Sequence, residues 1–359
     1  MLKRLLGFRE LALVVVLFFE ILLFAIVQIH YDLEAGRIAS WREALTWDYA
    51  RENPYLSPTY LLGSFAGAAI LAVACIGSCI VIIGGGIDLS VGSVIALSSV
   101  ATAWVLREGL GVAGMSPWAA TPLAVAAGMA IGSLCGAISG SLVTLVRLQP
   151  FVATLAMMSI ARGVPLVLTE GRPVIVPRDS FFVARLGGKI ALGPGDGAAV
   201  EMPVVILVLI AAALVFAFFM LKTKWGRQIF AIGGNEEAAR FCGVRVNRIK
   251  MAMYVLAGLM AGLGGVLFAA LHGIGQSSAA FGWELDAIAA VVVGGTLLTG
   301  GVGYVVGTLV GVLIFGIIQT GINFESLNSW WTRVAIGLLL FVFVLLQKLL
   351  ARTGPREAP

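Results

Sequence analysis

Three ionisable residues interrupt otherwise apolar stretches of the sequence: Glu20, Asp88 and Arg162. A charged group inside hydrocarbon is costly unless it has a partner, so such residues commonly belong to an ion relay, a gate or a structural pair. Candidate partners for Arg162 are Asp88, Glu20 and helix-end carbonyls. We favour a structural pairing of Arg162 over contact with a transported substrate.

Other chemistry-bearing constellations are missing from the sequence. The chain has two histidines, His30 and His272, and four cysteines without metal-ligand spacing. A nucleophile with a general base is therefore not assembled, and neither is a metal site. The sequence also has no phosphate-binding G-x-x-x-x-G-K-[ST] loop, so we expect that this chain does not hydrolyse ATP by the usual P-loop mechanism. We predict no catalytic residue and no metal.

The composition indicates a membrane protein built from helices. The chain has 359 residues, of which 60% are hydrophobic and 12% are charged, and its mean hydropathy is +1.01. Soluble domains are about half apolar and a quarter charged. Apolar runs of about 17 to 25 residues, each long enough to cross about 30 Å of hydrocarbon, recur along the chain. The expected fold class is an all-α polytopic membrane protein, with residues 1–359 as a single transmembrane domain.

Ten membrane-spanning helices are predicted. They are expected at residues 11–27, 60–83, 89–106, 119–146, 151–169, 203–221, 251–271, 285–299, 303–321 and 332–350. Span 285–299 is the weakest, because at about 1.5 Å per residue it reaches only some 22 Å; a re-entrant or broken helix is the alternative.

The charge distribution orients these spans. Residues 222–250 contain Lys222, Lys224, Arg227, Arg240, Arg245, Arg248 and Lys250 against Glu236 and Glu237, and so account for the whole formal net charge of +5. Basic loops stay on the cytoplasmic side, so this basic loop and both termini are predicted to be cytoplasmic, and loops 28–58 and 170–202 extracytoplasmic. A nucleic-acid site would need a soluble basic face with aromatic residues, so nucleic-acid binding is excluded.

Inside the basic loop the sequence predicts a helix of two turns. Asn235 suits the N-cap, two acids fill the first turn, and Gly243 suits the position after the C-cap. Its remaining residues are Glu236, Glu237, Ala238, Ala239 and Phe241. A helix that short is marginal by itself. Exposure of both alanines and the phenylalanine leaves two interpretations open: insertion into a groove on another protein, or contact with anionic lipid.

Three consecutive glycines, Gly84, Gly85 and Gly86, break the helical pattern between the second and third spans. Asp88 or Ser90, just beyond them, can cap the next helix, and capping is the favoured interpretation. The alternative is that this region forms part of a translocation gate, because a broken helix in lipid is tolerated only where it lines a cavity or is covered by protein.

Glycines also recur at four-residue spacing within two predicted spans. The sets are Gly128, Gly132, Gly136 and Gly140 in the fourth span, and Gly303, Gly307 and Gly311 in the ninth. Such stripes let helix backbones approach closely. We predict that they serve helix packing, within one subunit or with a second one, in preference to a direct role in a pore.

Several segments resemble one family of transport proteins. They are GGGIDLSVGSVIALSS at 84–99, QPFVATLAMMSIARG at 149–163, GRQIFAIGGNEEAARFCGV at 226–244, ELDAIAAVVVGGTLLTGGVG at 284–303 and INFESLNSWWTR at 322–333. Together they resemble the ribose-type, carbohydrate-uptake class of ATP-binding cassette (ABC) importer permeases, and the last two look closest to the galactofuranose-importer branch. Glu237-Ala238-Ala239, followed by Gly243, resembles the EAA loop that touches the ATPase in that family. The resemblance covers about residues 60–350.

The resemblance implies a type II importer-like permease of the bacterial inner membrane that moves a monosaccharide. Its implied partners are an ATPase subunit that uses ATP and Mg, a second identical or homologous permease, and a periplasmic sugar-binding protein. No cofactor is expected on this chain. We predict that Arg172 and Arg178, beside Pro173 and Pro177, dock an acidic patch of the binding protein. Loop 28–58 is longer than the family's usual first loop.

Two other classes of function fit the sequence less well. An ion-coupled secondary transporter also uses broken helices at mid-membrane. It needs an ion or proton relay, however, and Asp88, Glu20 and Arg162 are few residues for one. A membrane-embedded hydrolase would need the nucleophile and base that the sequence lacks. The ABC permease is the preferred interpretation, and the secondary transporter is the alternative.

Overall fold

The computed structural model describes residues 58–177, 180–192 and 200–324 without a break, residues 28–30 and 32–44, and the single positions 22, 25, 26, 46, 49, 334, 337, 338, 341 and 345. Within this part of the chain, six helices are long and apolar enough to cross a membrane. The all-α polytopic class is therefore confirmed. The predicted spans 11–27 and 332–350 lie largely outside the described residues, so the count of ten remains a prediction.

The described elements follow one another as helices with a few short strands between them. The helices are α1 (Trp41–Ala44), α2 (Pro58–Ile83), α3 (Val91–Arg107), α4 (Pro117–Thr144), α5 (Pro150–Thr169), α6 (Phe181–Leu186), α7 (Val204–Lys222), α8 (Lys224–Gly234), α9 (Glu236–Phe241), α10 (Val246–His272), α11 (Trp283–Val293) and α12 (Val305–Phe324). The strands are β1 (Val174–Ile175), β2 (Lys189–Leu192), β3 (Val200–Pro203) and β4 (Ile274–Gly275). The six membrane-length helices are α2, α3, α4, α5, α7 and α10.

The glycine stripe of α4 packs on α10 within the subunit. A Cβ added to Gly132 would lie 2.6 Å from the Cα of Gly262, and one added to Gly136 would lie 3.1 Å from the Cα of Val255. Only a residue without a side chain allows backbones to approach this closely. The predicted packing role of this stripe is confirmed, and its partner is a helix of the same chain.

The weakest predicted span, 285–299, is a short helix. α11 ends at Val293, so its 11 residues reach about 16 Å, and an irregular loop, 294–304, leads into α12. Gly294 and Gly295 end the helix, and Gly295 takes a positive φ of 91°. The broken form, which was the alternative for this span, is the one that the structure adopts.

Short strands, which the sequence pattern did not predict, fold loop 170–202 against the bundle. β1 pairs antiparallel with β4, so the loop is tied to the chain that follows α10. β2 pairs with β3. Ser180 caps α6 by accepting from the backbone N–H of Val183 at 3.4 Å. The loop is therefore a structured surface in its described part.

The described part of loop 28–58 is organised around a buried carboxylate. Asp32 accepts hydrogen bonds from Gln28 Nε2 at 3.0 Å, from Arg37 Nη1 at 3.0 Å and from Tyr49 Oη at 2.8 Å. Buried carboxylates are retained where donors satisfy them, so these charges have a structural role.

Candidate functional site

The helix predicted inside the basic loop is present as α9. The Asn235 side chain accepts from the backbone N–H of Ala238 at 2.9 Å, which is N-capping geometry. Beyond the helix, Gly243 takes a positive φ of 81°, a conformation that glycine adopts without strain. Local capping residues therefore define both ends of this helix, and all seven residues assigned to it from sequence lie together.

The two faces of α9 differ from the expectation in one respect. Phe241 is 85% exposed, and Glu237 and Ala238 are exposed as well, whereas Ala239 is buried. The prediction that Ala239 is exposed was wrong. The reason is that the chain turns back into α10 directly after α9, and the Ala239 carbonyl accepts from Val244 N at 3.1 Å. The exposed surface of α9 therefore consists of Glu237, Ala238, Arg240 and Phe241.

Glu236 fastens α9 to the start of α10. Its carboxylate accepts from Lys250 Nζ on α10, and from Arg240 Nη2 at 3.0 Å. The hydrogen bond from Lys250 is the main reason that the pKa of Glu236 lies below its ordinary value. Among the described residues no cation lies within ion-pair distance of Glu237. The two neighbouring acids therefore differ, Glu236 holding the helix and Glu237 facing outward.

α8 connects α9 to the interior of the bundle. Thr223 caps α8 by accepting from Gly226 N at 3.2 Å, and Ile229 and Ile232 are buried. The helix ends in Gly233 and Gly234, directly before the N-cap of α9. These two glycines therefore link α8 to α9.

Five glycines from three separate segments meet at the end of α2, and we name them the glycine junction: Gly85, Gly233, Gly234, Gly300 and Gly301. The Gly301 N–H donates to the Ile83 carbonyl at 2.8 Å. A Cβ on Gly300 would lie 3.1 Å from the Cα atoms of both Gly233 and Gly85. The end of α8, which directly precedes α9, is thus in backbone contact with the glycine break that follows α2. Gly300 and Gly301 were missed, although two consecutive glycines between predicted spans were a usable signal.

Asp88 stabilises the turn after the glycine break. It is 4% exposed, and its Oδ1 accepts from Ser90 N at 2.8 Å and from Ser90 Oγ at 2.7 Å. Ser90 occupies the N-cap position of α3 but makes no side-chain capping bond. The expectation that Asp88 or Ser90 caps α3 was therefore wrong: the Ser90 hydroxyl is bound to Asp88, and the Asp88 carboxylate accepts from Ser90, one residue before the helix begins. The carboxylate organises the turn that precedes the helix.

Arg162, which also entered the prediction for the translocation region, lies apart from the residues of the glycine break. Its Nη1 donates to the carbonyls of Ser277 at 3.1 Å and Ala279 at 2.6 Å, and its Nη2 to that of Ala280 at 3.4 Å. These carbonyls belong to the loop before α11, so the partners of Arg162 are backbone carbonyls, as one candidate had it, but they do not lie at the end of a helix. Glu20 lies outside the described residues. One region contains Gly84, Gly85, Gly86, Asp88 and Ser90. Arg162 contacts a different region, the loop before α11.

The docking residues predicted for loop 170–202 are only partly described. The Arg172 side chain is 84% exposed and lies 4.0 Å from the Glu170 carboxylate. Arg178 lies outside the described residues. Arg107, which is half-exposed and stands over the Trp104 ring, borders the same surface depression as Arg172. Arg107 was therefore missed as a second arginine of this surface. It lies at the end of α3, far in sequence from loop 170–202.

Most of the chain is similar to known proteins. The sequence profile of the family described as branched-chain amino acid transport system / permease component matches residues 60–344. The chain is 43% identical over 281 residues to the inner membrane ABC transporter permease protein YjfF of Escherichia coli K12, covering 78% of this chain and 81% of that protein.

Two ribose permeases are also similar. Identity is 39% over 297 residues with the ribose import permease protein RbsC of Bacillus subtilis 168, covering 82% of this chain and 87% of that protein. It is 39% over 300 residues with RbsC of Escherichia coli K12, covering 81% and 88%. The chain therefore belongs to this family of ABC transporter permeases and is a multi-pass protein of the inner membrane.

Proposed function

We propose that the chain is the transmembrane subunit of an ATP-driven importer that moves a monosaccharide delivered by a periplasmic binding protein. Two relatives are named as ribose import permeases, and the sequence resemblance adds galactofuranose, so a ribose-like sugar or galactofuranose is the proposed cargo. ATP and Mg are bound by a separate ATPase subunit, and a second copy or homologue of this permease completes the pathway.

One observation carries this proposal: a capped helix exposes Glu237 and Phe241 to a partner while the glycines before it touch the broken helix inside the bundle. Glycine backbones in direct contact leave no side chains to absorb a displacement. Motion imposed on α9 by a closing ATPase would thus reach residues 84–90 and 297–303 through α8. Alternating access requires such a link between an energised partner and the pathway.

The lipid interpretation of α9 is less well supported. Lys250 and Arg240, two of the cations near this helix, are engaged with Glu236, while the outward surface carries Glu237, which has no ion-pair partner in the described part of the chain. An acidic group repels an anionic membrane surface. A protein groove with a basic rim suits Glu237 and Phe241 better.

Reconstituted transport tests the proposal. The permease is purified together with the ATPase and binding protein encoded with it, placed in proteoliposomes, and supplied with radiolabelled D-ribose and D-galactose. We expect uptake that requires ATP inside the vesicles and stops with vanadate. Uptake that runs on an ion gradient without ATP would contradict the proposal and favour a secondary transporter.

A further inference from the structure

A non-helical segment, residues 273–282, runs alongside α3 between α10 and α11. Near its start, Gln276 N donates to Ser99 Oγ at 3.3 Å. Near its end, a Cβ added to Gly92 would lie 2.5 Å from the Ala280 carbonyl oxygen. Ser99 and Gly92 are seven residues apart on α3, so the segment follows the helix for about 10 Å. Irregular backbone is therefore present at the depth of a membrane-spanning helix.

Arg162 of α5 holds this segment from a second direction. Three of its N–H groups donate to carbonyls of Ser277, Ala279 and Ala280. A guanidinium has five N–H groups, and in the part of the chain that the structure describes the other two have no acceptor. Arg162 is therefore a positioning residue for the segment, and it retains hydrogen-bonding capacity.

The remaining side of the segment is exposed and chemically mixed. Ser278 is exposed and accepts from Gln276 Nε2 at 2.8 Å. Phe281 is 68% exposed, and the Arg162 guanidinium stands 5.7 Å from the centre of its ring. Lipid does not tolerate irregular backbone and exposed polar groups at this depth, whereas covering protein or a water-filled path does. A dry protein contact would remove water from the exposed Ser278 hydroxyl without replacing its hydrogen bonds, so this side suits the water-filled path of the assembled transporter better.

We propose that Gln276, Ser278 and Phe281, held in place by Arg162, form a contact site for the sugar in transit. The inference deepens the proposed function and rests on it. Aromatic ring faces carry partial negative charge and attract the polarised C–H groups of a sugar ring. The amide, the hydroxyl and the free N–H groups of Arg162 supply donors and acceptors for sugar hydroxyls.

An apolar cavity inside the bundle does not suit a sugar. It has a volume of about 500 Å³ and lies between α3, α4 and α5, where apolar side chains such as Leu97, Ile131 and Val164 line it. Sugar hydroxyls would lose their hydrogen bonds to water there without replacement. The polar segment beside α3 offers the replacement that this cavity lacks.

Transport by the reconstituted complex tests the sugar contact. Phe281→Ala is expected to lower the uptake rate by about five- to tenfold, the loss of one stacking contact, while Phe281→Tyr retains it. Phe218 on α7 is similarly exposed, at 65%, and Phe218→Ala is the matched control with wild-type uptake expected. Wild-type uptake by Phe281→Ala, or an equal loss in Phe218→Ala, would overturn the proposal.

Thiol labelling tests the exposure of the segment to water without relying on transport. In cells that express the complete transporter, Ser278→Cys is treated with a membrane-impermeant maleimide from outside, and Leu214→Cys on the apolar surface of α7 is the control. We expect labelling of residue 278, slowed by saturating sugar, and none of residue 214. The native exposed Cys242 reports membrane leakage. An unlabelled residue 278 would refute the proposed site; failed wild-type uptake with a labelled residue 278 would instead refute the proposed function.

Discussion

The backbone N–H of Gly301 donates to the carbonyl of Ile83 at 2.8 Å, which joins the loop before α12 to the last turn of α2. The carbonyls at the end of a helix have no partner within the helix, so this bond satisfies one of them with a distant segment. Gly233 packs directly against the same carbonyl. The end of α2, the end of α8 and the loop between α11 and α12 therefore share one point of contact.

The glycine junction predicts opposite outcomes for two neighbouring alanine substitutions. In Gly233→Ala the added Cβ would overlap the Ile83 carbonyl oxygen, and relieving it is expected to cost about 1–3 kcal/mol. In Gly234→Ala the Cβ would meet nothing within 4 Å. We expect Gly233→Ala to lower membrane yield or uptake severalfold and Gly234→Ala to resemble the wild type. Equal behaviour of the two variants would argue against the junction.

Asp88 is expected to tolerate a neutral isostere. Asp88→Asn keeps an oxygen that accepts from Ser90 N and Ser90 Oγ, whereas Asp88→Leu strands these two donors at about 1–3 kcal/mol each. We therefore expect most transport to survive in Asp88→Asn and to be lost in Asp88→Leu, measured as uptake normalised to protein yield. If Asp88→Asn abolished transport and the double variant with Arg162→Gln restored it, the two charges would form a pair.

The sequence was most informative where structure is set locally. The ends of α9 follow from Asn235 and Gly243, and the break after α2 follows from three glycines, so neighbours in sequence were enough for both. The partner of Arg162 is 115 residues away, and nothing local distinguishes it from Asp88. Ala239 was misplaced for a related reason, because the face that a six-residue helix buries depends on how the following chain packs against it.

The anchor between α9 and α10 is expected to weaken in acid. Because Lys250 holds the pKa of Glu236 below its ordinary value, the pairing contributes stability above about pH 4.3 and loses it as the pH falls through the lowered folded-state pKa. Amide hydrogen exchange of residues 236–241, corrected for intrinsic rates, should therefore show less protection near pH 3 than near pH 7. The same pH dependence in Glu236→Gln would contradict this assignment.

Docking of the binding protein is expected to depend on the arginines of loop 170–202. Reversing Arg172 and Arg178 to Glu should weaken docking at low salt, and the effect should shrink as ionic strength rises, because exposed charges are screened. Arg172→Gln with Arg178→Gln should give a smaller loss. Affinity of the double reversal measured at low salt is the deciding quantity, and an unchanged value would refute the assignment.

The most direct test asks whether the exposed face of α9 binds the ATPase subunit. Glu237→Ala and Phe241→Ala are made in the full complex, with Asn247→Ala, an exposed residue at the start of α10, as the control. Loss of an interface hot spot costs about 2 kcal/mol or more, or roughly 30-fold in affinity, so we expect the Phe241 variant to lose most co-purified ATPase and ATP-driven uptake while still inserting. We expect Glu237→Ala to be impaired as well and Asn247→Ala to be unaffected. Normal ATPase recovery and normal uptake in both the Glu237 and Phe241 variants would contradict the account.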